Sequence, residues 1–343
     1  MLAGPEPVAL RPRFARVAVL WSAVQPRRDA PPNWDAPGAG GFSVRAQLHA
    51  LRAARQRAGG GFEPVATFYS TPPWAARRPS GCLPPGGGNP NALAPSPAAL
   101  PAYRRLVESF LALARAEDVP VRYLSAWNEP NSWSFLAPQR ARCTTAAPSL
   151  AAAEYAPLLR GLRSALAAAP GDQRVVVGEA SSPYAARPGI STVTELVAAL
   201  PPDVLCAGPI WAQHQYAGDA DGVGPAERAL AARPSCPDGS LPGRTIWVTE
   251  TGAGALPPGR PRPAGTAALG AGCRSLAALL DRWYRDPRVA TAFQYTLRDD
   301  PGFPVGLSPP ATGPPYPTFA LWRAWGARPD PTAPPPPLPA PCR

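Results

Sequence analysis

Two acidic residues close apolar, strand-like runs in this chain. Glu129 follows VRYLS (121–125) within AWNEPN (126–131), and Glu250 ends TIWVTE (245–250) just before Thr251-Gly252. Acids placed where a buried strand meets a turn can project into one pocket, however far apart they lie in sequence. Paired carboxylates in opposite protonation states can divide one reaction between them. The protonated one gives a proton to a leaving oxygen while the ionised one attacks carbon, and cleavage of a glycosidic bond with retention needs such a pair about 5–5.5 Å apart. Apolar neighbours such as Trp127 would raise the pKa of Glu129. Simpler readings stand beside this one. Asn-Glu-Pro-Asn can be a plain turn, and Glu250 an acid at a helix N-terminus. A third acid, Glu179, also ends an apolar run (VVVGE, 175–179), and a structural role is expected for it.

These acids need elements to hold them. Seven apolar runs read as strands: 16–21, 63–69, 121–127, 174–179, 208–216, 245–250 and 289–295. Between them lie helical stripes: Val44, Leu48 and Leu51; Tyr103, Leu106, Val107, Phe110, Leu111 and Ala114; Tyr155, Leu158, Leu159, Leu162 and Leu166; Leu276, Leu279, Leu280 and Trp283. Their spacing is that of amphipathic helices, and a last helix is expected near 317–326. Strands alternating with helices argue for a parallel sheet covered by helices, and long aromatic loops after the strands suit the catalytic face of a (β/α)8 barrel. The barrel is expected over residues 1–328. Residues 329–343, PDPTAPPPPLPAPCR, read as a proline-rich C-terminal tail, an extended linker or a disordered end.

Trp127-Asn128-Glu129-Pro130-Asn131 resembles the acid/base motif of the clan A glycoside hydrolases, the "4/7" superfamily of (β/α)8 barrels. Thr249-Glu250-Thr251-Gly252 resembles that clan's nucleophile motif. The resemblance runs from about residue 14 to 326 and is closest to families thirty-nine and five. It implies a retaining β-glycoside hydrolase with Glu129 as acid/base, Glu250 as nucleophile, and neither metal nor organic cofactor. By the same resemblance Asn128 would meet the sugar 2-hydroxyl, Arg16 would support the nucleophile, and His214 and Tyr216 would contact nucleophile and sugar. Trp74, in TPPWA, would flank the subsites, and Tyr295 or Gln294 stands where many members carry tryptophan. Arg16 can equally be a surface arginine, His214 a satisfied core histidine, and Trp74, Trp133 and Trp211 plain packing. The clan's acids follow its fourth and seventh strands, so the seven runs here would be its second to eighth. Its first strand is either lost or encoded upstream of this start; an upstream extension carrying an apolar leader and one strand is expected, since closing a sheet removes its edges.

The bulk numbers narrow the alternatives. The net charge of +11 invites a polyanion partner, but all 34 basic residues are arginine, spread along a chain with 52 prolines, and no basic stripe with interleaved aromatics is present. That pattern reads as compositional bias, and no nucleic-acid partner is expected. Six cysteines (82, 143, 206, 236, 273 and 342) without Cys-x-x-Cys, and two solitary histidines, argue for disulfides in an oxidising compartment rather than a zinc site. Cys82–Cys143 is the favoured pair and Cys236–Cys273 the second. Residues 1–13 lack the apolar run of a signal peptide, which conflicts with export from this start, and no segment reaches membrane-span length. On its cysteines the expected place is extracellular or the cell envelope, as a monomer with a carbohydrate substrate. A non-catalytic carbohydrate-binding barrel is the alternative, and an arginine-driven polyanion binder a third.

Overall fold

All seven apolar runs are strands in the computed structural model, which describes residues 6–58, 61, 63–78, 80–85, 88–182, 185–217, 222–254, 259–330 and 332–343. In chain order the elements are α1 (Glu6–Ala9), β1 (Phe14–Leu20), α2 (Trp21–Val24), α3 (Val44–Arg57), β2 (Glu63–Tyr69), α4 (Leu100–Ala116), β3 (Tyr123–Ser125), α5 (Ala151–Ala168), β4 (Arg174–Ala180), α6 (Val193–Ala199), α7 (Pro202–Leu205), β5 (Ile210–His214), α8 (Gly224–Ala231), β6 (Thr245–Thr251), α9 (Thr266–Arg285), β7 (Val289–Gln294) and α10 (Pro317–Gly326). Each strand pairs in parallel with the next, giving the order β1-β2-β3-β4-β5-β6-β7. The result is a curled (β/α)8-type barrel short of one strand: among the described residues β1 and β7 remain edges.

Strand parity explains how the sheet is filled. Side chains alternate between the two faces, and one set points inward: Val65, Tyr123, Val176, Ile210, Ala212, Trp247 and Phe293 form one buried cluster, with Phe14 packed on it. The other set, including Val17, Phe68, Leu124, Val177, Trp211 and Val248, belongs to the larger core shared with the helices. Phe14 on β1 lies 5.6 Å, ring to ring, from Phe293 on β7 and 4.7 Å from Trp247 on β6, so the curl brings the two open edges round to one aromatic plug. The helical stripes bury as their spacing predicts. Leu106, Val107, Phe110 and Leu111 of α4, and Leu158, Leu159 and Leu162 of α5, are at most 2% exposed.

Three disulfides pin the loops and the tail: Cys82–Cys143, Cys206–Cys236 and Cys273–Cys342. The first is the expected pair. Cys236–Cys273 is not formed, because Cys273 faces inward from α9 and meets Cys342 there. The proline-rich tail is therefore tied down at its end rather than running free: Cys342 is fully buried, and Tyr284 of α9 donates to the Thr332 carbonyl at 2.8 Å. Among the described residues no helix is long and apolar enough to cross a membrane.

Candidate active site

The C-terminal ends of the strands are irregular where the chemistry-bearing residues sit. Ser70, Glu129, Glu179 and Thr296, at or just past the ends of β2, β3, β4 and β7, all have positive φ (70°, 38°, 57° and 61°). Such conformations cost of order 1–3 kcal/mol for a non-glycine residue and concentrate at functional sites. The strand register also slips by one residue at Gly178/Ala180, at Gln213/His214 and between Val248 and Thr251. The slips matter for direction. Val175 and Val177 face the helices, so a regular strand would turn Glu179 to the helices too; Ile246 and Val248 would likewise carry Glu250 outward. A bulge inserts one residue and reverses the facing of the side chains beyond it, which brings both carboxylates inside. At the first bulge Gly178 has φ +97°, and a Cβ there would stand 2.7 Å from the Ala212 carbonyl oxygen.

Within the barrel mouth His214 and Arg16 join three carboxylates. His214 Nδ1 lies 2.8 Å from Glu129 Oε1 and 3.3 Å from Glu250 Oε2, and Nε2 lies 2.9 Å from Glu179 Oε2. Carboxylates only accept when ionised, so an imidazole with an acid on each nitrogen is satisfied when both nitrogens carry protons. Burial alone would lower its pKa, but the charge of Glu250 and the hydrogen bonds to Glu129 and Glu179 push it up to about 10. Arg16 reaches Glu250 Oε1 through NH1. Its NH2 reaches Asn128 Oδ1 at 3.0 Å, Glu179 Oε2 at 3.1 Å and Thr67 Oγ1 at 3.3 Å. Burial pushes the Glu179 carboxyl up, yet Arg16 and His214 outweigh it and hold the group below the usual carboxylate range. Glu179 is fully buried and takes a further donor, Thr249 Oγ1 at 3.0 Å.

Glu250 is held from the other side by the Tyr216 hydroxyl, which donates to Oε2 at 2.6 Å. Burial, then the charge of Glu250, keeps Tyr216 well above its ordinary pKa, so it stays a neutral donor. Tyr69 is pushed up to about 12, first by burial. One carboxylate oxygen each of Glu129 and Glu250 and one nitrogen of His214 lie within 4.8 Å of one another. Glu129 is the most open of the three acids, with its side chain 18% exposed against 10% for Glu250 and none for Glu179. Asn128 offers its amide nitrogen, since its oxygen is taken by Arg16 and the nitrogen has no partner among the described residues.

Six of the residues singled out from sequence therefore meet: Glu129, Glu250, Asn128, Arg16, His214 and Tyr216. Tyr295 stands at the rim, donating to Asp300 at 3.2 Å and packing on Phe303, which in turn packs on Tyr216. Gln294 turns away to accept from Trp322. Trp74 is bound elsewhere: its indole donates to the Gln25 carbonyl at 2.9 Å, meets Trp21 edge-on, and lies under Arg28. Trp127 is no apolar neighbour of the Glu129 carboxyl. Its indole points into the helix layer, near Tyr103 and bonded to the Phe135 carbonyl, and the carboxyl faces His214 instead. The residue undervalued from sequence is Glu179. Its signal, an acid closing an apolar run as Glu129 and Glu250 do, was visible.

The fold is shared with solved structures. A family 30 subfamily 8 xylanase from Clostridium acetobutylicum superimposes with a TM-score of 0.54 at 16% identity, over 94% of this chain and 68% of that one. The likeness is one of fold: a (β/α)8 barrel, here short of one strand. A family 39 glycoside hydrolase from Bacteroides cellulosilyticus WH2 matches with a TM-score of 0.55 at 14% identity, covering 93% of this chain and 58% of that one. A fungal β-1,4-galactanase matches with a TM-score of 0.53 at 12% identity, covering 92% and 88%. The chain thus spans about three fifths to two thirds of the first two proteins' length. No family model and no curated protein sequence matches it.

Proposed function

We propose that this chain hydrolyses O-glycosidic bonds in a β-linked oligo- or polysaccharide or a β-glycoside, by retaining double displacement. The observation that carries the reading is the Glu129–Glu250 pair, with one oxygen of each within 4.8 Å and only Glu250 clamped between Arg16 and Tyr216. So close an approach suits direct attack by one carboxylate while the other donates, rather than the wider separation of an inverting pair. Glu250 Oε attacks the anomeric carbon as Glu129 passes its proton to the departing glycosidic oxygen, and a glycosyl ester forms on Glu250. Glu129, now a carboxylate, takes a proton from water, whose oxygen attacks the same carbon and breaks the ester. Asn128 Nδ2 donates to the sugar 2-hydroxyl oxygen in this reading. Three disulfides, and the fold shared with a conserved exported protein from Bacteroides fragilis, support a site of action outside the cytoplasm.

The test is turnover of a panel of aryl β-glycosides, with NMR of the first-formed anomer. Glu250→Gln should fall to background. Glu129→Gln should lose about 10²–10⁴-fold on substrates whose leaving group needs a proton. Full activity in Glu250→Gln, or a first product of inverted configuration, would sink the proposal.

A further inference from the structure

We propose that Glu179 is a positioning residue for acid catalysis: it anchors His214 through Nε2, aims Nδ1–H at Glu129, and supplies the third carboxylate that leaves one proton for the Glu129–Glu250 pair. The proposal rests on the glycosidase reading above. Its geometry is specific. Glu179 Oε2 receives His214 Nε2 at 2.9 Å, Thr249 Oγ1 at 3.0 Å and Arg16 NH2 at 3.1 Å, so a single oxygen ties β1, β4, β5 and β6 together. The Glu129 backbone N–H donates to the Glu179 carbonyl at 2.9 Å, which couples the positive-φ turn carrying the acid to the bulge carrying Glu179. Glu179 touches no solvent, so it is placed to act through its neighbours and not on a substrate.

Charge counting gives the second argument. The ionisable groups that face His214 are Glu129 after β3, Glu179 on β4, Glu250 on β6, Arg16 on β1 and Tyr216 after β5, with Tyr295 after β7 next to Glu250. The tyrosines are neutral. Arg16 and His214 together carry two positive charges against three carboxylates. With Glu179 and Glu250 ionised, the cluster is neutral when Glu129 holds a proton, the state in which an acid catalyst must meet its substrate. Remove the charge of Glu179 and two cations face two carboxylates, so neutrality no longer keeps that proton in place. In a buried cluster of low dielectric such imbalance weighs heavily.

Glu179→Gln, nearly isosteric, tests this on the full chain. On glycosides with poor, alkyl-type leaving groups kcat/KM should fall about 100-fold, within the range of general acid catalysis. Dinitrophenyl glycosides of the same sugar, which leave without a proton, should change less than about threefold. The alkaline limb of the pH profile should move to lower pH. Glu179→Asp, which keeps the charge, should recover part of the loss. Independently, the chain has only two histidines, so ¹⁵N-imidazole NMR with His49→Ala for assignment reads His214 directly. It should stay doubly protonated through pH 8 in the parent chain and lose a proton at lower pH in Glu179→Gln. An equal loss on both substrate types, or a His214 titration unmoved in Glu179→Gln, would overturn the proposal. If Glu129→Gln discriminates between leaving groups and Glu179→Gln does not, the glycosidase reading stands and this one falls. If Glu129→Gln itself fails to discriminate, the acid assignment falls, while the NMR result still decides the role of Glu179 toward His214.

Discussion

His214 is kept as a cation by carboxylates from three separate elements, and that has a consequence for stability. Its pKa is raised from an ordinary 6.5 to about 10 in the folded chain. A group whose folded pKa lies above its unfolded value contributes stability that is fully present below the unfolded pKa and lost as pH rises through the folded one. The advantage of the parent chain over His214→Asn should therefore be greatest at pH 6 and shrink progressively toward pH 10, as read by urea unfolding at each pH. An advantage that is flat or grows over that interval would contradict the imidazolium assignment. At this scale much of the cluster was legible: Glu129 and Glu250 each close an apolar run, and the clan resemblance pointed to Arg16, Asn128, His214 and Tyr216. Trp74 stands apart from this cluster, its indole N–H satisfied on the nearby Gln25 carbonyl.

The bulges govern the site at the level of elements. Alternation read from sequence would send Glu179 and Glu250 toward the helices, and a one-residue slip on β4 and β6 reverses both. Gly178 permits the first slip, since its φ of +97° and the 2.7 Å approach of the Ala212 carbonyl leave no room for a side chain. Gly178→Ala should cost about 1–3 kcal/mol in denaturant unfolding, and it should lower turnover more than an equally destabilising change in the helix layer, because Glu179 moves with it. A variant of parental stability would show that the bulge tolerates a Cβ. Helix boundaries were uneven in legibility. The long stripes of α4, α5 and α9 announced themselves, whereas α6 spans only Val193–Ala199 and too few turns for a stripe. Its one signal was the Thr192/Glu195 capping box, in which each side chain accepts the other residue's backbone N–H.

At the scale of the whole molecule, the Cys273–Cys342 bridge joins α9 to the chain's last residues across a separation of 69 positions. Closing a loop of that length restricts the unfolded chain by about 4 kcal/mol on the chain-entropy account. The double variant Cys273→Ser, Cys342→Ser should lower the thermal midpoint by several degrees and expose the proline-rich tail to proteolysis ahead of the barrel. An unchanged midpoint with a protected tail would show that packing alone holds it. Cys236 and Cys273 do not pair because bond formation depends on which Cβ atoms the fold brings within reach, and the fold sets Cys236 beside Cys206 and Cys273 beside Cys342.

By itself the sequence determined the alternation of strands and helices, hence the parallel barrel-type sheet, and it marked the acids that end apolar runs. Both come from local rules: the period of side-chain burial and the cost of burying an unpaired charge. Tertiary structure alone decided which way those acids face, that Glu179 stands at the centre of the charge network, and which cysteines join. A register slip, a five-way meeting of charges and a disulfide each depend on distances between elements remote in sequence, and no local pattern encodes those distances.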